Sequence, residues 1–368
     1  MNYEKEEIIE KISGCRAKKL CIFGAGTNGK LFCEKFKKVQ FEIDSFCDNN
    51  SELHGEFIHG FPCISLEILQ QDKEETLVVV SPDESEGIVS LLKEKGFPFV
   101  VLKDEINFYE YYIENIELNI VNHCDLDCQF CSHFSSIAPE YCVPFEALEK
   151  DIKRLRELAI NRLLNVKIIG GEPLLHPELD KIMGMIRENL PKTQIQLVTN
   201  AVKLMKQPES FWLTCQKNDI VITPTKYPVS LDFEGMEKKA KKYQVKYRYY
   251  NNAEVVKTMW KSPLDLDGNQ TLEKSYDICK SARYCGMLME GKQYICPITA
   301  NANIFIEKFQ VPMKVTEKDY LDIHSEITCD DFVSFINNPT PFCRYCKLSE
   351  RTLDHPWKRT TGKAEEWL

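Results

Sequence analysis

The sequence predicts an α/β protein in three successive segments, residues 1–110, 111–250 and 251–368. Short β-branched runs alternate with helix-period stretches twice, once before about Lys103 and again between Tyr111 and Tyr250. Alternation of this kind builds parallel sheets. Past Asn251 the cysteines concentrate, which marks a third, cysteine-rich segment.

In the first segment Lys19-Leu-Cys-Ile-Phe23 reads as a buried strand, and a helical pattern then runs to Lys38. Further strands are expected at 41–47, 76–80 and 99–102, with a helix over 84–95, giving a Rossmann-like parallel sheet. Between the first strand and its helix lies Gly24-Ala-Gly26-Thr-Asn-Gly29, and Asp48 comes about 20 residues on. That context suits a dinucleotide fingerprint, with a pyrophosphate at the helix N-terminus and Asp48 on a ribose hydroxyl. The same pattern also suits a scaffold that holds no ligand.

The second segment opens with Cys124-Asp-Leu-Asp-Cys128-Gln-Phe-Cys131, a C-x₃-C-x₂-C run. Three thiolates so close in sequence can hold three corners of an iron–sulfur cubane and leave the fourth iron open. The alternative is a zinc site, although zinc ligands usually come as two separate pairs. Further on, Val166-Lys-Ile-Ile-Gly-Gly-Glu-Pro173 reads as a strand ending in two glycines, a carboxylate and a proline. The glycines would let a ligand approach the backbone, and Glu172 can accept from an ammonium group. Further strands are expected near 116–121, 195–198, 220–223 and 245–249, with helices over 145–158 and 177–188. His176 reads as a loop or cap residue, and His133 as a hydrogen-bonding neighbour of the cysteine run.

Together these motifs resemble the radical SAM superfamily. The resemblance implies a partial (β/α)6 barrel in which Cys124, Cys128 and Cys131 hold a 4Fe–4S cluster. It implies that Gly170, Gly171, Glu172 and Pro173 bind the amino group of S-adenosylmethionine (SAM). Phe130 would lie against the adenine, and Thr199 and Asn200, at the end of Gln196-Leu-Val-Thr-Asn200, would approach the ribose. The implied chemistry is reductive SAM cleavage to a 5′-deoxyadenosyl radical, fed by a flavodoxin- or ferredoxin-type electron donor.

The third segment carries Cys279, Cys285, Cys296, Cys343 and Cys346, with Gly291 between the first group and Cys296. This spacing resembles the twitch domain, the one-cluster relative of SPASM. It implies a second, auxiliary 4Fe–4S cluster on Cys279, Cys296, Cys343 and Cys346; a structural zinc on the same four is the alternative. Cys285 is then a spare ligand or a thiol near the substrate that donates a hydrogen atom. Cys142, Cys215 and Cys329 read as packing residues.

Phe46-Cys-Asp48-Asn-Asn and Gly60-Phe-Pro-Cys-Ile-Ser65 resemble the small Rossmann-like domain at the front of enzymes of sugar and surface-polysaccharide biosynthesis. The implied substrate is a carbohydrate, free or carried on a nucleotide, which is oxidised, epimerised or dehydrated. A peptide-modifying maturase and a non-catalytic iron–sulfur sensor are the competing expectations.

Composition narrows the field. A net charge of −9 argues against nucleic acid as the main partner. The basic stretch Lys238–Lys242 with Lys246 and Arg248 reads as a solvated helix face, or else a contact for a substrate phosphate. Sixteen cysteines in a chain of 368 residues with a charged start, Met1-Asn-Tyr-Glu-Lys, suggest reduced thiols and metal ligands in an oxygen-sensitive cytoplasmic protein. No stretch approaches the roughly 20 apolar residues of a membrane span.

Overall fold

The computed structural model describes residues 17–38, 43–80, 85–101, 113–159, 163–250, 253–279, 281–282 and 284–368. The chain divides into two compact units, 1–112 and 113–368.

In the first unit the central strands β1 (Lys19–Phe23) and β5 (Thr76–Val80) are apolar on both faces, as parallel strands covered on both sides must be. They pair with each other and with β2 (Ser45–Cys47), β4 (Phe61–Ile64) and β6 (Phe99–Val101) in the order β4-β2-β1-β5-β6, all parallel. A short antiparallel strand, β3 (Phe57–Ile58), closes one edge. Helices α1 (Thr27–Lys38), α2 (Leu66–Leu69) and α3 (Ser85–Lys95) complete the unit. The strand order reverses beside β1, where the glycine turn lies.

In the second unit five parallel strands lie in order: β7 (Ile113–Val121), β8 (Leu163–Gly170), β9 (Gln194–Thr199), β10 (Ile220–Pro224) and β11 (Lys246–Tyr247). Between them run α4 (Phe145–Ala159), α5 (Leu179–Asn189), α6 (Glu209–Lys217) and α7 (Phe233–Lys242). Alternate strand residues point one way: Ile116, Leu118, Val166, Ile168, Ile195, Leu197, Ile220 and Ile222 pack against Leu155, Ile186, Phe211 and Trp212 of the helices. The opposite face is polar, with Glu117 and Asn119, Asn165 and Lys167, Gln194 and Gln196, and Thr223.

The final third joins the same sheet. After the exposed edge strand β12 (Thr258–Lys261) and α8 (Leu272–Asp277) comes β13 (Met287–Met289), which pairs parallel with β7. It turns through Gly291 into β14 (Lys292–Tyr294), and β15 (Tyr320–Asp322) adds a further antiparallel strand. Helices α9 (Pro297–Phe309) and α10 (Cys329–Ile336) come after β14 and β15, and β16 (Thr352–Pro356) pairs back with β12. The expected strands of the middle segment are present; 245–249 is shorter than expected, because only Lys246 and Tyr247 pair with β10. Of the expected strand 41–47, residues 41–42 lie outside the described residues, as does residue 102 of the expected strand 99–102.

Candidate functional site

The site is built where β7, β8 and β9 end. β8 runs out through Gly170 (φ 145°) into Gly171, and the chain passes so close to the end of β7 that side chains do not fit. A Cβ on Gly171 would lie 1.9 Å from the carbonyl oxygen of His123, and one on Gly170 would lie 2.3 Å from that of Val121. Gly171 N–H donates to Val121 O and Glu172 N–H to His123 O. The two glycines thus admit the protein's own backbone, and in doing so they dock this turn onto the loop that carries Cys124.

Glu172 caps the short turn after it, with Pro173 in the first helical position where its missing N–H costs nothing. Its buried carboxylate accepts from Leu174 N (3.0 Å), Thr199 Oγ1 (2.7 Å) and Asn200 N (2.8 Å). Burial nevertheless prevails over these donors and pushes the carboxyl up to about 7. Asn200 then reaches across, donating from Nδ2 to Asp125 Oδ1 (2.9 Å) and to Cys124 Sγ (3.4 Å). Two motifs nearly fifty residues apart are therefore joined through a third, the end of β9.

The loop of Cys124, Cys128 and Cys131 contains three non-glycine residues in the left-handed region, Asp127, Phe130 and Phe134. Their positive φ values turn the loop back on itself. Trp357 donates its indole N–H to Cys128 Sγ at 3.1 Å. Burial raises all three thiols, Cys128 to about 12, so these sulfurs would lose their protons only to a bound metal. Buried Tyr227 is pushed up by burial and then by the charge of the same three thiols, and its ring lies 6.2 Å from that of Trp357. Asn119 Oδ1 is buried without a partner, and a Cβ on Gly170 would approach it to 2.7 Å. An orphaned acceptor beside the glycine turn suits an ammonium donor.

His176 is a buried cap, as its sequence suggests: Nε2 pairs with Val143 O, and Nδ1 accepts from Glu178 N–H. His133 faces Ser132 at 3.5 Å, and burial lowers its imidazole to about 4. Phe130 packs at 4.8 Å from the His355 ring and lines a cavity of about 270 Å³ with Trp260, Met259 and Trp367.

The late cysteines separate into two groups. Cys296, Cys343 and Cys346 are raised first by burial, Cys296 to about 12, and also by the charge of Cys279, which lies near all three. Cys296 also caps α9, accepting from Thr299 N. Cys285 instead shares a hydrogen bond with Glu117 and feels Lys167. Glu117 and Lys167 are ion-paired at 3.4 Å, with their side chains 4% and 16% exposed. Burial raises Glu117 against the pull of Lys167, while Lys167 is raised because Glu117 and Cys285 outweigh its own burial. Among the described residues no three His, Cys, Asp or Glu side chains converge as tightly as a single metal ion requires.

Beside this pair opens a polar cavity of about 500 Å³, lined by Asn115, Asn165, Lys167, Gln196, Arg248 and Tyr250 among others. Of these the sequence singles out only Arg248, as a candidate contact for a substrate phosphate, and gives the others no role. The one signal is Ile116-Glu-Leu-Asn-Ile120, a parallel strand that alternates apolar and polar where uniform apolarity is usual.

In the first unit, a Cβ on Gly29 would fall 1.8 Å from Gly24 O, so that glycine lets the helix meet the strand end. Asp48 accepts from Ala25 N–H, in the turn, and from Asn50 N–H, in its own loop. Gly26 has open space around its Cα.

Residues 118–212 match the family model described as the radical SAM superfamily. This segment is a radical SAM domain. Domains of this family go with a 4Fe–4S cluster and SAM. Similar curated proteins include GTP 3',8-cyclase of Sulfurimonas denitrificans, 30% identical over 102 residues, covering 27% of this chain and 31% of that protein. Another is GTP 3',8-cyclase of Mycobacterium marinum, 29% identical over 97 residues, 25% of this chain and 26% of that one. The chain thus spans about a third of these relatives' length or less. Among solved structures, BtrN in complex with AdoMet and 2-DOIA aligns at a TM-score of 0.39 and 16% identity, over 63% of this chain and 92% of that one. Native anSMEcpe with bound AdoMet aligns at 0.39 and 15%, over 64% and 83%.

The residues of the radical SAM domain fit both groups. Cys124, Cys128 and Cys131 would hold the cluster, two of them already receiving N–H donors. The Gly170–Glu172 turn and Asn119 would receive the methionine part of SAM. Among the described residues no helix is long and apolar enough to cross a membrane.

Proposed function

We propose that the enzyme acts on a carbohydrate-type substrate, such as a nucleotide-activated sugar, and inverts a carbon centre in it. The observation that carries this reading is the polar cavity lined by Lys167, whose charge acts on Cys285. Asn115, Asn165 and Gln196 offer paired donors and acceptors of the kind hydroxyl groups require. A peptide substrate would be served better by apolar lining.

When bound, the cluster and SAM supply a carbon radical that takes a hydrogen atom from an unactivated C–H. The chain's own residues govern the fate of the substrate radical. Burial keeps Cys285 as a thiol, the form that can return a hydrogen atom to the substrate carbon from the opposite face. That transfer breaks S–H, forms C–H and leaves a sulfur-centred radical. One electron and one proton restore the thiol. Glu117, hydrogen-bonded to Cys285, is the proton source; a flavodoxin- or ferredoxin-type donor would supply the electron, and Cys279, Cys296, Cys343 and Cys346 would hold an auxiliary 4Fe–4S cluster able to relay it. The Gly24–Gly29 turn of the first unit is the candidate seat for a nucleotide.

A second reading, two-electron oxidation of an alcohol, is favoured by the gathering of those four cysteines, since an oxidised cluster held there would accept the electron instead. The test is turnover of a nucleotide-sugar panel by the anaerobically reconstituted full chain in D₂O. Inversion through Cys285 places deuterium on the product carbon, and Cys285→Ser abolishes it while 5′-deoxyadenosine still forms. A ketone product without deuterium would move the assignment to oxidation, and no turnover of any sugar would remove the carbohydrate reading.

A further inference from the structure

The C-terminal segment lies along the cysteine loop in a way the radical chemistry does not by itself demand. Trp357 N–H bonds to Lys257 O, so the segment arrives held by the strand pair β12–β16. From there Gln129 N–H donates to Lys358 O (2.9 Å), Thr360 N–H donates to Asp127 O (2.7 Å), and Arg359 bridges to Cys128. The chain then turns through Gly362, and the Glu366 carboxylate accepts from Thr360 Oγ1, Thr361 N and Thr361 Oγ1. Last, Trp367 donates to Cys131 O at 3.0 Å from a cage of Phe134, Phe305 and Phe309. Every residue from 127 to 131 except Phe130 is thus tied to the tail by its backbone or side chain, and Phe130 packs against the His355 ring at a tilt of 57°.

We propose that residues 357–367 form a strap that sets the reduction potential of the group held by Cys124, Cys128 and Cys131, with Trp357 as its tuning residue. Trp357 is a positioning residue: it touches the Cys128 sulfur and not the reacting carbon. An N–H donor on a ligand sulfur stabilises the more electron-rich, reduced state, and hydrogen bonds to sulfur are a principal lever on cluster potential. Arg359, beside Cys128, pushes in the same direction by charge. The strap therefore makes the first electron easier to load.

The test uses the full chain, reconstituted anaerobically, with the cluster signal that changes on adding SAM followed by electron paramagnetic resonance during a redox titration. Trp357→Phe keeps the ring and removes the donor. At the wild-type midpoint its reduced-to-oxidised ratio should fall about tenfold, equivalent to a shift of about 59 mV to more negative potential for one electron. Trp357→His, which restores an N–H, should return most of it, and Trp367→Phe, whose donor meets only a backbone carbonyl, should leave it unmoved. An unchanged midpoint in Trp357→Phe at full iron content overturns the proposal. If Trp357→Phe loads no iron, Trp357→His decides: loading with a near wild-type midpoint supports tuning, and failure to load makes the segment merely structural.

Discussion

The two units each contain a strand that ends in a glycine turn facing a carboxylate, and they use the parts differently. At Gly24–Gly29 the turn opens a helix, and Asp48 is occupied by backbone N–H groups at the turn and its own loop. At Gly170–Gly171 the turn docks on the neighbouring strand end, and Glu172 ties in β9, whose Asn200 reaches a cysteine sulfur. Among the described residues, only the second turn has an orphaned acceptor beside it and a cysteine sulfur tied in through Asn200. A glycine motif alone builds a close backbone contact; the chemistry comes from what that contact brings within reach.

Removing the cysteines should have the largest effect. Cys124→Ala, Cys128→Ala or Cys131→Ala should lower SAM cleavage by at least ~10³-fold, since the group that supplies the radical would be lost. The check is 5′-deoxyadenosine formation by the reconstituted chain with dithionite. Cleavage that survives in all three variants would erase the distinction between the two turns.

The glycines give the next effect. Gly171→Ala and Gly29→Ala both drive a methyl group into a carbonyl oxygen, and each should cost about 3 kcal/mol of stability in urea melts. Gly26→Ala meets nothing and should stay within about 0.5 kcal/mol. If Gly26→Ala instead abolishes binding of a nucleotide to the first unit, the comparison sharpens, because a ligand would then need that space.

Glu172 yields a pH effect. Its folded value, about 7, lies above the ordinary 4.5, so the folded state holds its proton more tightly than the unfolded state. That contribution is fully present below about pH 4.5 and is lost as pH rises through 7. Glu172→Gln should therefore flatten the fall in stability between pH 5 and 8, by an amount on the order of 3 kcal/mol. Conversely SAM, a cation donor to the ionised form, should bind the wild type more tightly at pH 8 than at pH 6, a difference the variant lacks. Isothermal titration at both pH values reads it directly.

The smallest effect concerns Asp48. Asp48→Asn keeps an acceptor for Ala25 N–H, and should shift the melting temperature by only a few degrees while weakening nucleotide binding, as read by thermal shift with nucleotide-sugars.

The parallel strands and their helices were legible because local alternation decides them, and Gly170-Gly-Glu-Pro173 could be placed because it ends such a strand. The role of the tail was not legible. Trp357 and Cys128 are 229 residues apart, and no local periodicity reports a contact of that range. The Glu117–Lys167 pair was hidden for a related reason: each is one polar residue of an alternating strand, and only the β7–β8 register sets them side by side.

The same sheet also fixes a distance. Cys124 lies just past the end of β7, Cys296 just past the end of β14, and both strands belong to one sheet through β13. Glu117 N–H donates to Gly286 O at the seam. The sheet thus acts as a ruler between the two cysteine sets, its length fixed by peptide geometry. An electron crossing from one set to the other would meet a gap that no hinge can widen, and its transit time would be a constant of the fold.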